Sequence, residues 1–172
     1  MRLLTLFLFL LLGFSSCAPT HLTSETAHYE NQNGFSIDEE AEILDTVQNR
    51  EVIDILLQYR DALVRKDFGG LKRLISTRYF DNGGTTNTTK DDYDNKALPD
   101  LFEQLAKHTE GIKYKVTLKS VEVNDKIAFV DYEFEFAYAY KVGGEITWDA
   151  GIDVNRLELT SENGEWKITS GL

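Results

Sequence analysis

Residues 131–140 read Asp-Tyr-Glu-Phe-Glu-Phe-Ala-Tyr-Ala-Tyr. Every second residue is aromatic, which is the period of a β-strand with one apolar and one polar face. Tyr132, Phe134, Phe136, Tyr138 and Tyr140 share one side. At about 150–250 Å² each, five aromatics are enough to form one wall of a domain core, a ligand pocket or a dimer face. The segments on either side carry the same period. Before it, Tyr114, Val116 and Leu118 alternate; after it, Ile146, Trp148, Ile152 and Val154 do so. Taking the latter four as the inward set turns Asp149 and Asp153 outward. The phase must then shift near Asn155-Arg156 to bring Leu157 and Leu159 inward, which implies a bulge. Asn163-Gly164 marks a tight turn, and Trp166 and Ile168 face inward from a last strand.

Helical spacing dominates the earlier half. Ile53, Leu56, Leu57, Ala62, Leu63 and Val64 fall on one face. Ser36-Ile37-Asp38-Glu39 has the form of a capping box that opens this helix or a short one ahead of it. Asp67, ahead of Phe68-Gly69-Gly70, closes the helix and opens a second one through Leu71, Leu74 and Ile75. Residues 81–96 are rich in Asn, Gly, Thr and Asp and form a loop. A third helix is expected over about Ala97 to His108, with Pro99 in its first turn and Leu98, Leu101, Phe102 and Leu105 inward. Helices followed by an antiparallel meander define an α+β domain.

The chain has 172 residues, 18 Lys and Arg against 29 Asp and Glu, and one Cys. The net charge of −11 argues against a nucleic-acid partner, which needs a basic face. A single Cys excludes an internal disulfide and any multi-Cys metal site. His21 and His28 have no thiolate or carboxylate support. Asp92, Asp94 and Glu103 match positions 1, 3 and 12 of a calcium loop, but Lys96 and Ala97 stand where an oxygen ligand and a Gly are required. No metal and no cofactor is expected.

The start of the chain sets the compartment. Arg2 precedes an apolar run from Leu3 to Leu12, then Gly13-Phe14-Ser15-Ser16-Cys17. A basic start, about ten apolar residues and small residues before a cut site describe an export signal over 1–16, too short for a comfortable spanning helix. Phe14-Ser15-Ser16-Cys17 resembles the lipobox of bacterial lipoproteins, although Phe14 stands where Leu is usual. The resemblance implies fatty acylation of Cys17 and anchorage of an exported protein in the bacterial envelope. Ala18 directs it towards the outer membrane. Residues 18–40 contain five acids and no Lys or Arg. Residues 17–36 therefore read as a flexible tether of roughly 25 Å typical span, and residues 37–172 as the domain.

Tyr59-x-x-Ala62-Leu63, Asp67-Phe68-x-x-Leu71-x-x-Leu74, Tyr79-Phe80-Asp81 and Gly164-Glu165-Trp166-Lys167-Ile168 carry a second resemblance, to the nuclear transport factor 2-like superfamily with its SnoaL-like members. That group, also described as cystatin-like, implies a cone: a curved antiparallel sheet packed on three helices around a pocket. Its members include isomerases, dehydratases, cyclases and binding domains without chemistry, so fold alone leaves function open. The expected pocket lining is Tyr59, Tyr79, Phe102, Tyr132, Phe134, Phe136, Tyr138, Trp148 and Trp166. The enzymatic members commonly use a pocket Asp or His with Tyr. Here His108 lies at a helix end and Asp149 and Asp153 are expected to point outward, so no catalytic residue is assigned. Three expectations follow: a domain binding a small apolar ligand or a protein partner without chemistry; an isomerase, dehydratase or cyclase using a pocket Asp and Tyr; and an assembly module that dimerises through a sheet face.

Overall fold

The computed structural model describes residues 19–26, 28–83, 87–90 and 92–172. The expected export signal over residues 1–16 and the expected acylation site Cys17 lie outside the described residues. Ten elements follow in order: β1 (Phe35–Ile37), α1 (Val47–Val64), α2 (Phe68–Leu74), β2 (Phe80–Asp81), β3 (Tyr93–Asp94), α3 (Leu98–His108), β4 (Gly111–Asn124), β5 (Ile127–Val142), β6 (Glu145–Glu162) and β7 (Glu165–Ser170). The main sheet has the order β1-β4-β5-β6-β7, and β2 and β3 form a separate two-stranded ribbon.

Helix α1 begins where Thr46 accepts a hydrogen bond from the Asn49 N–H at 3.1 Å. It buries Val52, Ile53, Leu56, Tyr59 and Leu63 and lies across β4. Lys66 turns the chain into the left-handed region at φ 57°. Asp67 then caps α2 by accepting from the Gly70 N–H at 2.7 Å. Both breaks fall where the sequence places them. The tight turn at Asn163-Gly164 is present as well, with φ of 54° and 87°.

Strands β4, β5 and β6 are long antiparallel neighbours. The register slips between Leu118 and Ser120, a bulge that bends and twists the sheet towards the helices. The result is three helices on a curved, largely antiparallel sheet, the architecture expected from the sequence.

The segment expected to be a tether is instead folded from Thr20 onward. Leu22, Tyr29, Phe35, Ile37 and Ile43 are all buried. His21 bridges Leu44, the Leu22 N–H donates to the Ile43 carbonyl at 2.8 Å, and β1 pairs in parallel with β4, Phe35 opposite Val116 and Ile37 opposite Leu118. Five apolar side chains spread over a polar, acidic stretch carry this packing. Their wide spacing hides them from any periodicity test. The capping box also fails: Ser36 sits inside β1, and its hydroxyl hydrogen-bonds that of Thr117 at 3.1 Å.

Candidate functional site

Directly opposed residues of paired strands share a face. Tyr132 stands opposite Asn155, Phe134 opposite Asp153, Phe136 opposite Gly151 and Tyr138 opposite Asp149. The helix-facing side of β6 therefore carries Asp149, Gly151, Asp153 and Asn155 in line with Leu157 and Leu159. No bulge occurs at Asn155-Arg156. This corrects the expected orientation of the strand. Ile146, Trp148, Ile152 and Val154 lie on the outer face and are exposed at 52%, 47%, 69% and 71%. Trp148 thus lies on the opposite side of the sheet from the aromatic row. It lies over Gly111, with Lys113 Nζ 4.6 Å from its ring centroid.

The inner aromatics form a continuous row. Successive centroids from Tyr132 to Tyr140 are separated by 5.9, 5.9, 5.4 and 6.4 Å. Tyr114 stacks on Phe134 at 5.0 Å. The row divides in two. At its deep end, Tyr132, Tyr114 and Tyr59 are buried under α1. Beyond them, Phe134, Phe136, Tyr138 and Tyr140 are partly exposed, where the β5–β6 hairpin runs on past the helices. Asp149 and Asp153 flank this outer shelf and are exposed.

A chain of hydroxyls fills the deep end. Tyr59 meets Tyr114 edge to face, ring centroids 6.2 Å apart, and the phenols of Tyr59, Tyr114 and Tyr132 lie close enough to act on one another electrostatically. Asn155 Nδ2 donates to the Tyr132 oxygen at 3.2 Å and to the Gly171 carbonyl at 2.9 Å. Burial in apolar surroundings pushes the Tyr132 phenol up to about 12 and raises those of Tyr59 and Tyr114 well above the ordinary phenol value as well. These hydroxyls stay protonated and act as hydrogen-bonding groups.

The other expected lining residues are dispersed. Tyr79 is buried, and its hydroxyl donates to Asp81 at 3.1 Å. The same carboxylate accepts from the Gly171 N–H at 2.8 Å. Tyr93 donates to the Leu172 carbonyl at 3.0 Å. Tyr79 therefore belongs to a clasp between the β2–β3 ribbon and the end of β7. Phe102 is half-buried on α3 and stacks on Phe68 at 5.6 Å. Trp166 is buried in the core from β7. The structure thus brings together Tyr59, Tyr132, Phe134, Phe136 and Tyr138 from the expected set. It adds Tyr114, Asn155, Asp149 and Asp153. Counting by twos backward from Leu159 reaches the last three; counting forward from Ile146 does not.

Among the described residues, no cluster of three or more His, Cys, Asp or Glu is placed to hold a metal ion. His28 instead pairs with Asp54 at 2.8 Å. A groove of about 630 Å³ between α1 and β7, lined by Glu51, Asp54, Arg65 and Trp166 among others, is open to solvent and carries both charge signs.

No family model matches the sequence, and no curated protein matches it. Solved structures do. A conserved protein from Planctomyces limnophilus is 13% identical with a TM-score of 0.60, over 72% of this chain and 92% of its own. A ketosteroid isomerase-like protein from Erwinia carotovora atroseptica is 15% identical with a TM-score of 0.60, over 73% and 94%. A dehydratase candidate of the nuclear transport factor 2-like family from Streptomyces avermitilis is 15% identical with a TM-score of 0.60, over 71% and 92%. At these identities the likeness concerns architecture, and that architecture is the nuclear transport factor 2-like fold.

Proposed function

We propose that this chain is a lipid-anchored bacterial envelope protein whose domain binds a small apolar, planar molecule without chemistry of its own. One observation carries the ligand reading: the row Phe134, Phe136, Tyr138 and Tyr140 continues the buried core outward and stays partly uncovered. Stacked rings present flat apolar area at low entropic cost, and the tyrosine tips supply hydrogen bonds. The buried Tyr132 hydroxyl behind the shelf is already engaged by Asn155, so it supports the shape of the shelf. The sequence Phe14-Ser15-Ser16-Cys17 supports the anchor. Among the described residues no helix is long and apolar enough to cross a membrane. Two or more acyl chains on Cys17 would supply stable attachment.

The ligand reading is tested with N-phenyl-1-naphthylamine, a neutral apolar probe, titrated into the full chain carrying Cys17→Ser. Saturable binding at one site is expected. It should weaken about tenfold or more when Phe134 and Phe136 are both replaced by Ala. Equal binding by the parent and the double variant, both folded by circular dichroism, sinks the reading. The anchor is tested by labelling cells with radioactive palmitate: the native chain takes up label and fractionates with membranes, and Cys17→Ser does neither.

A second reading, an isomerase- or dehydratase-type enzyme, draws on the position of Asp149 and Asp153 across from Tyr138 and Phe134. A carboxylate beside an apolar shelf is placed to take a proton from a bound carbonyl compound. Solvent deuterium uptake by a cyclic enone, lost in both Asp149→Asn and Asp153→Asn, would favour it.

A further inference from the structure

The outer side of β6 presents a feature that the ligand site does not use. Ile146, Trp148, Ala150, Ile152 and Val154 follow one another at every second position, all exposed. Among the described residues, they lie on a strand with one open edge. β7 covers β6 only over Glu158–Glu162, while β5 pairs with the other edge over its whole length. The Val154 N–H is held by its neighbour Asp153 at 2.8 Å and the Arg156 N–H by Asn155 at 2.8 Å. Even-numbered residues therefore aim their backbone groups at the open edge, and the free stretch runs from Glu145 to Asp153. Protein edges of this kind are usually blunted by Lys, Pro or a bulge. Residues 145–155 contain no Lys, Arg or Pro, and the β5–β6 register is unbroken.

We propose that two copies of this chain join through this edge, with their β6 strands antiparallel about a twofold axis at Ala150. A twofold contact must be self-complementary, and the outer pattern is nearly a palindrome about that residue. Ile146 then meets Val154 of the second copy, Trp148 meets Ile152, and Ala150 meets itself. On the inner face, Asp149 meets Gly151, Thr147 meets Asp153 and Glu145 meets Asn155. No acid faces an acid. Neighbouring registers are worse. An axis at Gly151 sets Asp149 against Asp153, and an axis at Asp149 sets that residue against itself; like charges directly opposed disfavour pairing. An axis at Ile152 places Trp148 against Arg156, and an axis at Trp148 leaves Val154 beyond the partner strand. Only the axis at Ala150 sets all five apolar residues against apolar partners. The product is one sheet continuous through both copies.

The pairing is independent of the ligand reading, and its register makes it testable. Opposed residues of a hydrogen-bonded antiparallel pair have Cα atoms about 5.5 Å apart, within the span of a disulfide. The two copies of Ile152 lie four residues out of register, roughly 14 Å apart along the strands. In the full chain with Cys17→Ser, Ala150→Cys should oxidise in air to a covalent dimer and Ile152→Cys should stay monomeric. The Cys17→Ser parent should sediment as a dimer at micromolar concentration. Adding Ile152→Lys should yield a monomer with an unchanged circular dichroism spectrum. A parent that sediments as a monomer leaves the strip to a different protein and overturns the proposal. So does an Ala150→Cys chain that fails to cross-link. Equally rapid cross-linking of Ile152→Cys indicates a face-to-face dimer and overturns the edge pairing.

Discussion

The ring of Phe136 lies across Gly151 of the neighbouring strand, so close that a β-carbon at residue 151 would come within 2.8 Å of the ring Cζ. The aromatic side chain fills the space of the missing one, and this keeps the shelf flat between Asp149 and Asp153. Gly151→Ala should swing the ring outward, at a cost of about 1–3 kcal/mol in a urea titration. Probe affinity should fall with it. A variant as stable and as avid as the parent would show that the ring has room to move.

Tyr29 gives a prediction of opposite sign. Its hydroxyl is buried and has no hydrogen-bond partner among the described residues. Removing an unsatisfied polar atom costs nothing in contacts, so Tyr29→Phe should leave stability unchanged or raise it by about 1 kcal/mol or more. Leu22, 1% exposed in the same segment, should behave as a core residue and cost about 2–5 kcal/mol as Ala. Were residues 20–36 a loose spacer, neither substitution would register in an unfolding curve.

The pH dependence should have two limits. Tyr59, Tyr79, Tyr114 and Tyr132 all titrate above the ordinary phenol value because burial disfavours the phenolate. Their folded values are raised. The stability they contribute is therefore complete below about pH 10 and disappears as pH climbs towards the folded values. Absorbance at 295 nm should show most phenols ionising together, as the chain unfolds. At the acid end the sign reverses. Hydrogen bonds from Ser76 and Arg78 hold Glu162 below the usual carboxylate range, and Arg156 does the same for Asp131. Their contribution is present above about pH 4 and is lost as pH falls through the depressed values. Glu162→Gln should flatten the decline of the urea midpoint between about pH 5 and pH 3.

How far the sequence could be read varied by element. The helix breaks at Lys66-Asp67 and the turn at Asn163-Gly164 were legible because each depends on a local backbone requirement, a cap or a left-handed φ. The aromatic face of β5 was legible because its period is uninterrupted over nine residues. β6 was not, because both its faces carry plausible inward residues. Ile146, Trp148, Ile152 and Val154 look like a core row, yet they lie on the outer face of the sheet, turned away from the helices. Leu157 and Leu159, which are buried, set the true phase. The β1 segment was illegible for another reason. Leu22, Tyr29, Phe35 and Ile43 are spaced by seven, six and eight residues, and they pack only because β4 leaves an edge for the chain to follow.

The folding of the segment from Thr20 onward alters the mechanics of attachment. Thr20 already accepts a hydrogen bond from the Asp45 N–H at 2.8 Å, so Ala18 and Pro19, three chain steps in all, separate the proposed acylated Cys17 from the body of the domain. Fully extended, they reach about 11 Å at most. A leash that short would let the proposed lipid-anchored domain neither drift from the bilayer nor tumble freely beside it. The surface around His21 and Leu44 would stay turned towards the lipid headgroups.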